Sequence, residues 1–386
     1  MTSASVIAAS PEDVGVKRSA LDELFGFVER EVSEGRLPAA QVAIGRHGRI
    51  AGTRTFGSAV QGGARKPATE RTLFCLYSST KAVVGAGMWA LIEDGKLRLD
   101  ERVADIVPEF AGAGKEAVTA EQLMLFIGGF PQAPMHPRLW EDRQARLERI
   151  KGWRLNWEPG SRFEYHPTAA HWLMAEIITS RTGLDFRDYL RQRVLDPMGA
   201  TDLFVGLPDA QHARAADVEY VAPPVVTPGA EVNPETILHF NLPSQRRAGC
   251  PGGGGFSTAA DLALFYQVLV NGGAAADGTQ VLTPETIAFA TTIRTDPAKH
   301  RDELNDIPVN RALTVVVAGD DGNAELRGFG RGTSPRAFGH GGAGGQIGWG
   351  DPESGLSIGF VTNGFGSEEQ IRTRGRTIST LAAACV

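Results

Sequence analysis

The sequence FCLYSSTKAVVGAGMWALIED (residues 74–94) joins a short apolar run to a Ser-x-x-Lys motif and a helix-like segment. Ser78 and Lys81 form the only Ser-x-x-Lys in the chain. In a helix, positions i and i+3 lie on one face, so Ser78 Oγ and Lys81 Nζ can meet. A serine hydroxyl becomes a strong nucleophile when a nearby base takes its proton, and a desolvated lysine can be that base. The motif alone also fits a helix-capping serine beside an unrelated lysine.

Segments on both sides of this motif predict strands near the two chain ends and helices between them. The patterns are apolar runs of helical spacing that end at Gly or Asn, and short alternating runs separated by turn residues. The predicted helices cover residues 11–35, 81–94, 169–182, 259–270 and 368–385. The predicted strands cover residues 41–46, 49–56, 312–318, 337–340, 346–351 and 356–362.

These elements predict an α+β fold with two lobes. Burying both groups of strands at once requires one antiparallel sheet built from the two chain ends. We expect residues 1–80 and 312–386 to form an α/β lobe with this sheet, and residues 81–311 to form a mainly helical lobe. The length of 386 residues fits two lobes, and the cleft between them is the expected active site. Residues 221–234 predict a loop at one wall of the cleft.

A second serine motif competes with the first. Gly355-Leu356-Ser357-Ile358-Gly359 matches the Gly-x-Ser-x-Gly pattern of a nucleophile elbow, which requires a sharp strand-turn-helix junction. Ser357 instead lies inside an alternating run that predicts a strand, and no helix follows directly. We therefore interpret Ser357 as structural.

Two further segments offer groups that can assist a serine nucleophile. Tyr165 lies in a turn just before an apolar helix, where its phenol can carry protons near Lys81; simple packing is the alternative. Residues 338–345 contain five glycines, which leave the backbone open to close approach. A strand there can donate a backbone N–H to an oxyanion, alongside that of Ser78. The alternative is a plain glycine-rich hairpin in which His340 is structural.

Composition and charge argue against several function classes. The net charge is −6 and no Lys/Arg run stands out, so nucleic acid is not an expected partner. The chain has neither a secretory signal nor a run near the ~18 apolar residues of a membrane span, so we expect a cytoplasmic protein without a membrane partner. Cys75, Cys250 and Cys385 are far apart, as in a reducing compartment. No ligand pattern predicts a metal or a cofactor, and the oligomeric state stays open.

Taken in order, these segments resemble the serine β-lactamase and penicillin-binding-protein superfamily, and most of all its class C β-lactamase-like esterases, the family VIII carboxylesterases. The resemblance covers nearly the whole chain and implies the two-lobed β-lactamase/transpeptidase fold. The segments that carry it are LPAAQV (37–42), SSTK (78–81), DGKLRLD (94–100), PGSRFEY (159–165), GGGFST (253–258) with Asp261, NGG (271–273) and residues 338–363.

The resemblance also implies roles for the matching positions. Ser78 would be the acylated nucleophile, Lys81 its base or proton relay, and Tyr165 the group that deprotonates the attacking water. The oxyanion donors would be the backbone N–H groups of Ser78 and Ala343. His340-Gly341-Gly342 stands where β-lactamases have Lys-Thr-Gly.

Departures from the family pattern favour ester substrates. Tyr165-His166-Pro167 lacks the asparagine that binds the amide of β-lactams and peptides, and His340 replaces the lysine that meets a substrate carboxylate. Residues 123–129 (LMLFIGG) are apolar where relatives often carry His-Thr-Ser-Gly. A site without those partners favours uncharged, apolar acyl groups.

We therefore predict a serine carboxylesterase for small to medium acyl esters or lactones. The residues expected to contact this small-molecule ester are His340, Gly341, Gly342, Trp349, Phe126 and Phe130. The same nucleophile also fits β-lactam hydrolysis, D-amino-acid amide or peptide hydrolysis, and acyl transfer. A penicillin-binding-protein-like body that binds a ligand without turnover is a further alternative, against which the retention of Ser78, Lys81 and Tyr165 argues.

Overall fold

The computed structural model describes residues 6–226, 233–302 and 304–386. Within these residues the strands are β1 (Ala39–Arg46), β2 (Arg49–Gln61), β3 (Ala64–Pro67), β4 (Phe74–Cys75), β5 (Leu203–Val205), β6 (Glu219–Tyr220), β7 (Gly255–Ser257), β8 (Val316–Val317), β9 (Phe338–Gly339), β10 (Ile347–Asp351), β11 (Leu356–Thr362) and β12 (Gly364–Phe365). The largest sheet is antiparallel, with the order β3-β2-β1-β11-β10-β9-β8. It is built from both ends of the chain, as the sequence predicts.

Helices fill most of the region between the two groups of strands. The α-helices are α1 (Arg18–Ser33), α2 (Thr80–Glu93), α3 (Val103–Ile106), α4 (Ala120–Met124), α5 (Arg143–Lys151), α6 (Ala169–Thr182), α7 (Phe186–Leu190), α8 (Asp196–Met198), α9 (Pro234–Leu238), α10 (Pro243–Ala248), α11 (Ala259–Val270), α12 (Pro284–Ala290) and α13 (Glu368–Ala383). No described helix combines the length and apolar composition that crossing a membrane requires.

The pairing of β1 with β11 joins the two chain ends at the middle of the sheet. Ala40 lies opposite Thr362, and Arg46 lies opposite Leu356. All residues of β11 are buried because helices cover both faces of the sheet. Ile358 packs in the cluster that contains α1 and α13, whereas a Cβ on Gly359 would collide with the backbone of α11. Alternation along the strand thus sends neighbouring residues to opposite helical layers.

Several predicted elements have the predicted bounds, and others are shorter. The strand at 356–362 and the helices at 169–182 and 259–270 agree with β11, α6 and α11. The helix predicted at 11–35 is broken, because Gly15 has φ 69° and separates a 3₁₀ turn from α1. The strand predicted at 312–318 is reduced to β8, because Thr314 turns the chain with φ 69° and the Leu313 carbonyl accepts a hydrogen bond from Trp89 instead.

The helix α11 belongs with the sheet. It packs on β1, β10 and β11, although the predicted lobe boundary at residue 312 assigns it to the helical lobe. A smaller sheet, β4-β7-β5, places the segment before Ser78 beside β7. In the predicted loop at 221–234, residues 221–226 have no helix or strand, and residues 227–232 lie outside the described residues.

Gln41 links three segments through buried hydrogen bonds. Its Nε2 donates to the carbonyl oxygens of Thr69 at 2.7 Å and Thr72 at 3.2 Å, and its Oε1 accepts from the amide of Ala259 at 2.9 Å. These bonds connect β1 to the chain before β4 and to the start of α11.

Replacing Gln41 by leucine should lower the free energy of unfolding by about 2–4 kcal/mol, because buried backbone groups lose their partners. Urea denaturation of Gln41→Leu and wild type measures this difference. Gln132→Leu is the control, since Gln132 is exposed, and its effect should stay within about 0.5 kcal/mol. Equal effects of the two substitutions would contradict this role of Gln41.

Candidate active site

Ser78 lies in a turn between β4 and α2. The residue before it, Tyr77, has φ 45°, a left-handed conformation that is unfavourable for a side chain of this size. The Tyr77 ring packs edge-on against Phe240 and Phe365, with centroid distances of 5.3 and 5.1 Å. This packing holds the turn, and Ser78 stays partly exposed to a cavity.

Lys81 follows Ser78 by one helical turn and is fully buried. Its Nζ lies 3.1 Å from Ser78 Oγ and donates to the carbonyl oxygen of Gly252 at 2.5 Å. Among the described residues, no carboxylate lies within ion-pair distance of this nitrogen. The amine is therefore held by a hydroxyl and a backbone carbonyl, so it can exchange a proton with Ser78 Oγ.

Tyr165 comes from the loop before α6, and its ring lies beside Lys81. Lys81 Nζ is 5.1 Å from the ring centroid, and Tyr165 and Ser78 line the same cavity. Phe126 packs edge-on against the Tyr165 ring at 5.3 Å. The three side chains predicted to converge, Ser78, Lys81 and Tyr165, thus lie close together, and Ser78 and Tyr165 border the cavity.

His166 fixes the loop that carries Tyr165. Its Nδ1 lies 2.7 Å from the carbonyl oxygen of Glu164, and its Nε2 accepts from the amide of Phe130 at 3.2 Å. Since a carbonyl oxygen only accepts, Nδ1 carries the proton of a neutral ring. Burial lowers the pKa of His166 to about 3, so this ring stays neutral near neutral pH.

The glycine-rich segment after β9 lies against the turn that carries Ser78. Ser79 Oγ donates to the carbonyl oxygen of His340 at 2.8 Å. A Cβ on Gly342 would collide with the carbonyl oxygen of Leu76, two residues before the nucleophile. The glycine at 342 is therefore required for this close approach, and Ala343 reaches the same cavity as Ser78.

The His340 ring is neutral and has one nitrogen free. Its Nδ1 lies 2.7 Å from the carbonyl oxygen of Gly341, so Nδ1 carries the proton. Its Nε2 is buried and has no hydrogen-bond partner in the described part of the chain. Burial, followed by the charges of Arg311 and Lys81, holds the pKa of His340 well below its usual value. The ring centroid lies 6.0 Å from that of Tyr165.

The cavity beside Ser78 has a volume of about 650 Å³ and mainly apolar walls. The polar side chains that line it include Ser78, Tyr165, Thr168, Thr236 and Glu368. The other walls are supplied chiefly by Met135, Pro137, Trp140, Ile237 and Phe240. Such a cavity suits an uncharged organic group whose reactive carbon lies beside Ser78.

Comparison with known proteins identifies the family. A family model described as Beta-lactamase matches residues 24–382. The chain belongs to the β-lactamase family. A putative D-alanyl-D-alanine carboxypeptidase of Escherichia coli (strain K12) is 26% identical over 385 residues, which are 92% of this chain and 85% of that protein. The esterase/beta-lactamase LipL of Mycobacterium tuberculosis (strain ATCC 25618 / H37Rv) is 27% identical over 315 residues, which are 75% of this chain and 68% of LipL.

Solved structures share the β-lactamase fold over almost the whole chain. A penicillin-binding protein homolog from Caulobacter crescentus has a TM-score of 0.78 and 29% identity, and the match covers 96% of this chain and 99% of that one. A family VIII carboxylesterase has a TM-score of 0.79 and 24% identity with the same coverage. These findings confirm the predicted fold and the predicted superfamily. The chain is therefore a member of a serine hydrolase family.

None of the six predicted substrate contacts lines the cavity beside Ser78. His340 and Gly341 instead line an adjoining cavity of about 490 Å³, and Gly342 lies against Leu76. Phe126 is fully buried beneath Tyr165, and Phe130 is buried against Trp153. Trp349 packs near Phe329 and donates to Ser379 Oγ at 3.2 Å, on the α13 side of the sheet. The reason is strand alternation in β10, because Gly348 and Gly350 face α11 and turn the residue between them the other way.

The second serine motif is structural, as predicted. Ser357 is buried inside β11, and its hydroxyl donates to the carbonyl oxygen of Ala263 at 2.9 Å. Among the described residues, no group of three His, Cys, Asp or Glu could hold a metal ion. Burial raises the pKa of Cys75 to about 12, so this thiol does not compete with Ser78 as a nucleophile.

Sequence reasoning missed Arg311 and Gly252. Arg311 is buried and stacks on the Phe126 and Tyr165 rings, yet the chain offers no local motif around it, only an isolated Arg before an apolar run. Gly252 supplies the carbonyl that holds Lys81, and a Cβ there would lie 2.8 Å from the Pro167 carbonyl oxygen. The glycine run at 252–255 was a usable signal for this close approach.

Replacing Gly342 by alanine should slow the reaction of Ser78 with a fluorophosphonate probe by about 10- to 100-fold. The added Cβ would push residues 340–345 away from the nucleophile, and small displacements of reacting groups are costly. Probe labelling rates and thermal melting measure the reaction and the fold separately.

Gly375→Ala is the control for this test. Gly375 lies in α13 and nothing lies within 4 Å of an added Cβ, so the rate should change little. A Gly342→Ala protein that reacts at the wild-type rate would show that the contact with Leu76 does not position the segment.

His166 should make stability depend on pH. Its ordinary pKa is about 6.5 and its folded pKa is about 3, so between these values the unfolded chain binds a proton that the folded chain does not. Its contribution is therefore complete above about pH 6.5 and is lost as the pH falls, at about 1.4 kcal/mol per pH unit. Unfolding free energies of His166→Gln, measured between about pH 4 and 6, should show a slope smaller by that amount. An unchanged slope would contradict this account, and the exposed His136 gives the control variant His136→Gln.

Proposed function

We propose that this β-lactamase-family serine hydrolase cleaves uncharged carboxylic esters, with small to medium acyl groups or lactone rings, through an acyl-enzyme on Ser78. The observation that carries the proposal is the buried Lys81 Nζ at 3.1 Å from Ser78 Oγ, beside a cavity with mainly apolar walls. A nucleophile with an adjacent base and an apolar binding wall matches ester cleavage.

In the acylation step, Ser78 Oγ attacks the ester carbon as its proton passes to Lys81 Nζ. The Oγ–C bond forms while the carbonyl oxygen takes up negative charge, which the N–H groups of Ser78 and Ala343 are proposed to stabilise. When the carbonyl reforms, the bond to the leaving alkoxide breaks. The alkoxide takes the proton of the Tyr165 phenol and departs as the alcohol, which leaves Tyr165 as a phenolate and Lys81 protonated in the acyl-enzyme.

In the deacylation step, water attacks the acyl carbon. Tyr165 is proposed to accept the water proton, so that the water oxygen bonds to carbon as the Oγ–C bond breaks. Ser78 Oγ regains a proton from Lys81, and the carboxylic acid leaves. Tyr165 suits this role because its ring lies beside Lys81 Nζ and borders the same cavity as Ser78.

Two features of the site support an uncharged acyl group. His340 occupies the position where β-lactamases carry lysine, and its pKa is held well below its usual value, so the ring is neutral. Trp140, Ile237 and Phe240 add apolar surface, and a carboxylate placed against them would lose its hydration without gaining a partner. His340, Gly341 and Gly342 remain proposed contacts of the ester itself.

Ser78→Ala should reduce hydrolysis of p-nitrophenyl acetate and p-nitrophenyl butyrate by about 10³-fold or more, because no other group can carry the acyl chain. Initial rates of p-nitrophenol release by wild type and variant measure this loss. Wild-type rates in the variant would remove Ser78 as the nucleophile, and a folded wild type that takes up no fluorophosphonate would favour ligand binding without turnover.

Comparing a charged ester with an uncharged one provides a second test of the proposed function. We expect kcat/KM for p-nitrophenyl hemisuccinate to be about 100-fold lower than for the butyrate ester, because its carboxylate is desolvated against apolar walls. Nitrocefin turnover faster than butyrate hydrolysis would instead identify β-lactam cleavage as the main activity.

A further inference from the structure

Arg311 is a buried cation without an acidic partner at ion-pair distance in the described residues. The residue is 6% exposed, and its Nη1 has no hydrogen-bond acceptor there. Its guanidinium carbon lies 4.8 Å from the centroid of the Phe126 ring, 5.5 Å from that of Tyr165 and 5.6 Å from that of Phe163. Aromatic faces therefore take the place that a carboxylate usually has beside a buried arginine.

Keeping this charge inside the protein is costly. Burial lowers the pKa of Arg311 to about 10, so the side chain is still a cation near neutral pH. An uncompensated buried charge is unfavourable and is often found where function requires it. The position of Arg311 beside the proposed base Tyr165 gives such a requirement.

In the proposed acyl-enzyme, where Lys81 holds the Ser78 proton, the Tyr165 ring has two cations next to it. Lys81 Nζ is 5.1 Å from its centroid on the nucleophile side, and Arg311 lies against it at 5.5 Å together with Phe126. Arg311 and Tyr165 also share the wall of a second, smaller cavity of about 200 Å³. A proton that leaves the phenol therefore leaves its negative charge next to both cations.

The other charged and titratable groups around this ring do not cancel the two cations. His340 and His171 are buried and neutral, because burial holds the pKa of each well below its usual value. Asp302 borders the smaller cavity beyond ion-pair distance of Arg311, and Glu164 is paired with Arg162. Among the described residues, the charged groups and histidines that contact Tyr165 or Arg311, or share a cavity wall with them, are Lys81, His340, Asp302, Glu368 and Arg327, and Arg327 is paired with Asp321. His166 and His171 contact the adjoining Phe126 ring, and Glu164 and Arg162 are close in sequence.

We propose that Arg311 is a positioning residue for Tyr165, which holds the phenol toward the cavity and stabilises the negative charge on its oxygen while Tyr165 is deprotonated. This inference rests on the proposed function, in which the phenol oxygen accepts a proton from water during deacylation. The proton moves from water to the Tyr165 oxygen, and the charge that Arg311 stabilises disappears at that step. Arg311 touches neither the ester nor the attacking water.

The test compares the pH dependence of three variants with wild type. Arg311→Met removes the charge and keeps most of the volume, whereas Arg311→Lys keeps the charge. In Arg311→Met the acidic limb of the pH profile should move to higher pH by about one to two units, because one of two nearby cations is lost. Arg311→Lys should restore most of this shift.

The matched control is Arg162→Met. Arg162 is three residues from Tyr165 and stacks on the Trp157 ring at 5.7 Å, with about half of its side chain exposed. Its loss should leave the pH profile in place. This control separates the contact with the Tyr165 ring from a general loss of positive charge nearby.

Two measurements keep this test separate from the proposed function. The rate of fluorophosphonate labelling of Ser78, followed against pH, reports only the attack assisted by Lys81, so its profile should move much less in Arg311→Met than the hydrolysis profile. Loss of labelling in folded wild type would refute the proposed nucleophile, whereas intact labelling with an unshifted hydrolysis profile would refute only the role of Arg311. Steady-state hydrolysis of p-nitrophenyl butyrate gives the second profile.

A double variant tests whether the effect of Arg311 depends on the Tyr165 phenol, and it keeps the proposal falsifiable if single variants lose stability. With Tyr165→Phe already present, adding Arg311→Lys or Arg311→Met should cause no further shift of the profile. An Arg311→Met profile that superimposes on wild type, or a full shift that persists without Tyr165, would overturn the proposal. So would a defect confined to the KM of carboxylate-bearing esters, since that result assigns Arg311 to substrate binding.

Discussion

The hydrogen bonds of the Lys81 side-chain nitrogen, to the Gly252 carbonyl oxygen and to Ser78 Oγ, constrain the rest of the site. Lys81 is fully buried, and a buried amine needs polar partners because desolvation is otherwise uncompensated. Gly252 can supply its carbonyl only because it has no side chain, since a Cβ there would lie 2.8 Å from the Pro167 carbonyl oxygen. Three distant segments are therefore packed around one nitrogen: α2, the glycine run before β7 and the loop before α6.

The charged side chains next to Tyr165 come from different segments of the chain. In the proposed acyl-enzyme, Lys81 and Arg311 are the cations next to Tyr165, and burial keeps the nearby rings of His340 and His171 neutral. A lysine at position 340 would add a third positive charge to this buried cluster, where like charges oppose one another. The histidine therefore matches a site whose second cation comes from a different segment of the chain.

The relatives of this chain show how one fold can serve different acyl substrates. Their names include a carboxypeptidase, an esterase/beta-lactamase and a carboxylesterase. The chemistry that such enzymes can share lies in the nucleophile and its proton carriers, whereas substrate choice depends on the walls of the cavity. In this protein those walls are mainly apolar and include Trp140, Ile237 and Phe240.

Much of the fold could be predicted because it depends on short-range order. The bounds of β11, α6 and α11 follow from alternation, helical periodicity and terminal Gly or Asn residues. The nearness of Ser78 and Lys81 is also local, since the two residues are one helical turn apart. Predictions failed where the backbone makes non-local bonds, as at Leu313, whose carbonyl accepts from Trp89 instead of extending a strand.

The sequence by itself determined the Ser-x-x-Lys pair, the antiparallel sheet from two chain ends and the glycine-rich strand beside the nucleophile. Only the tertiary structure decided that Arg311 stacks on Tyr165, that Trp349 faces α13 and that Phe126 supports the site from below. The physical reason is that hydrogen bonding and periodicity within an element act over a few residues. Contacts between residues 30 or more positions apart, such as that of Trp349 with Ser379, are set by the packing of the complete core.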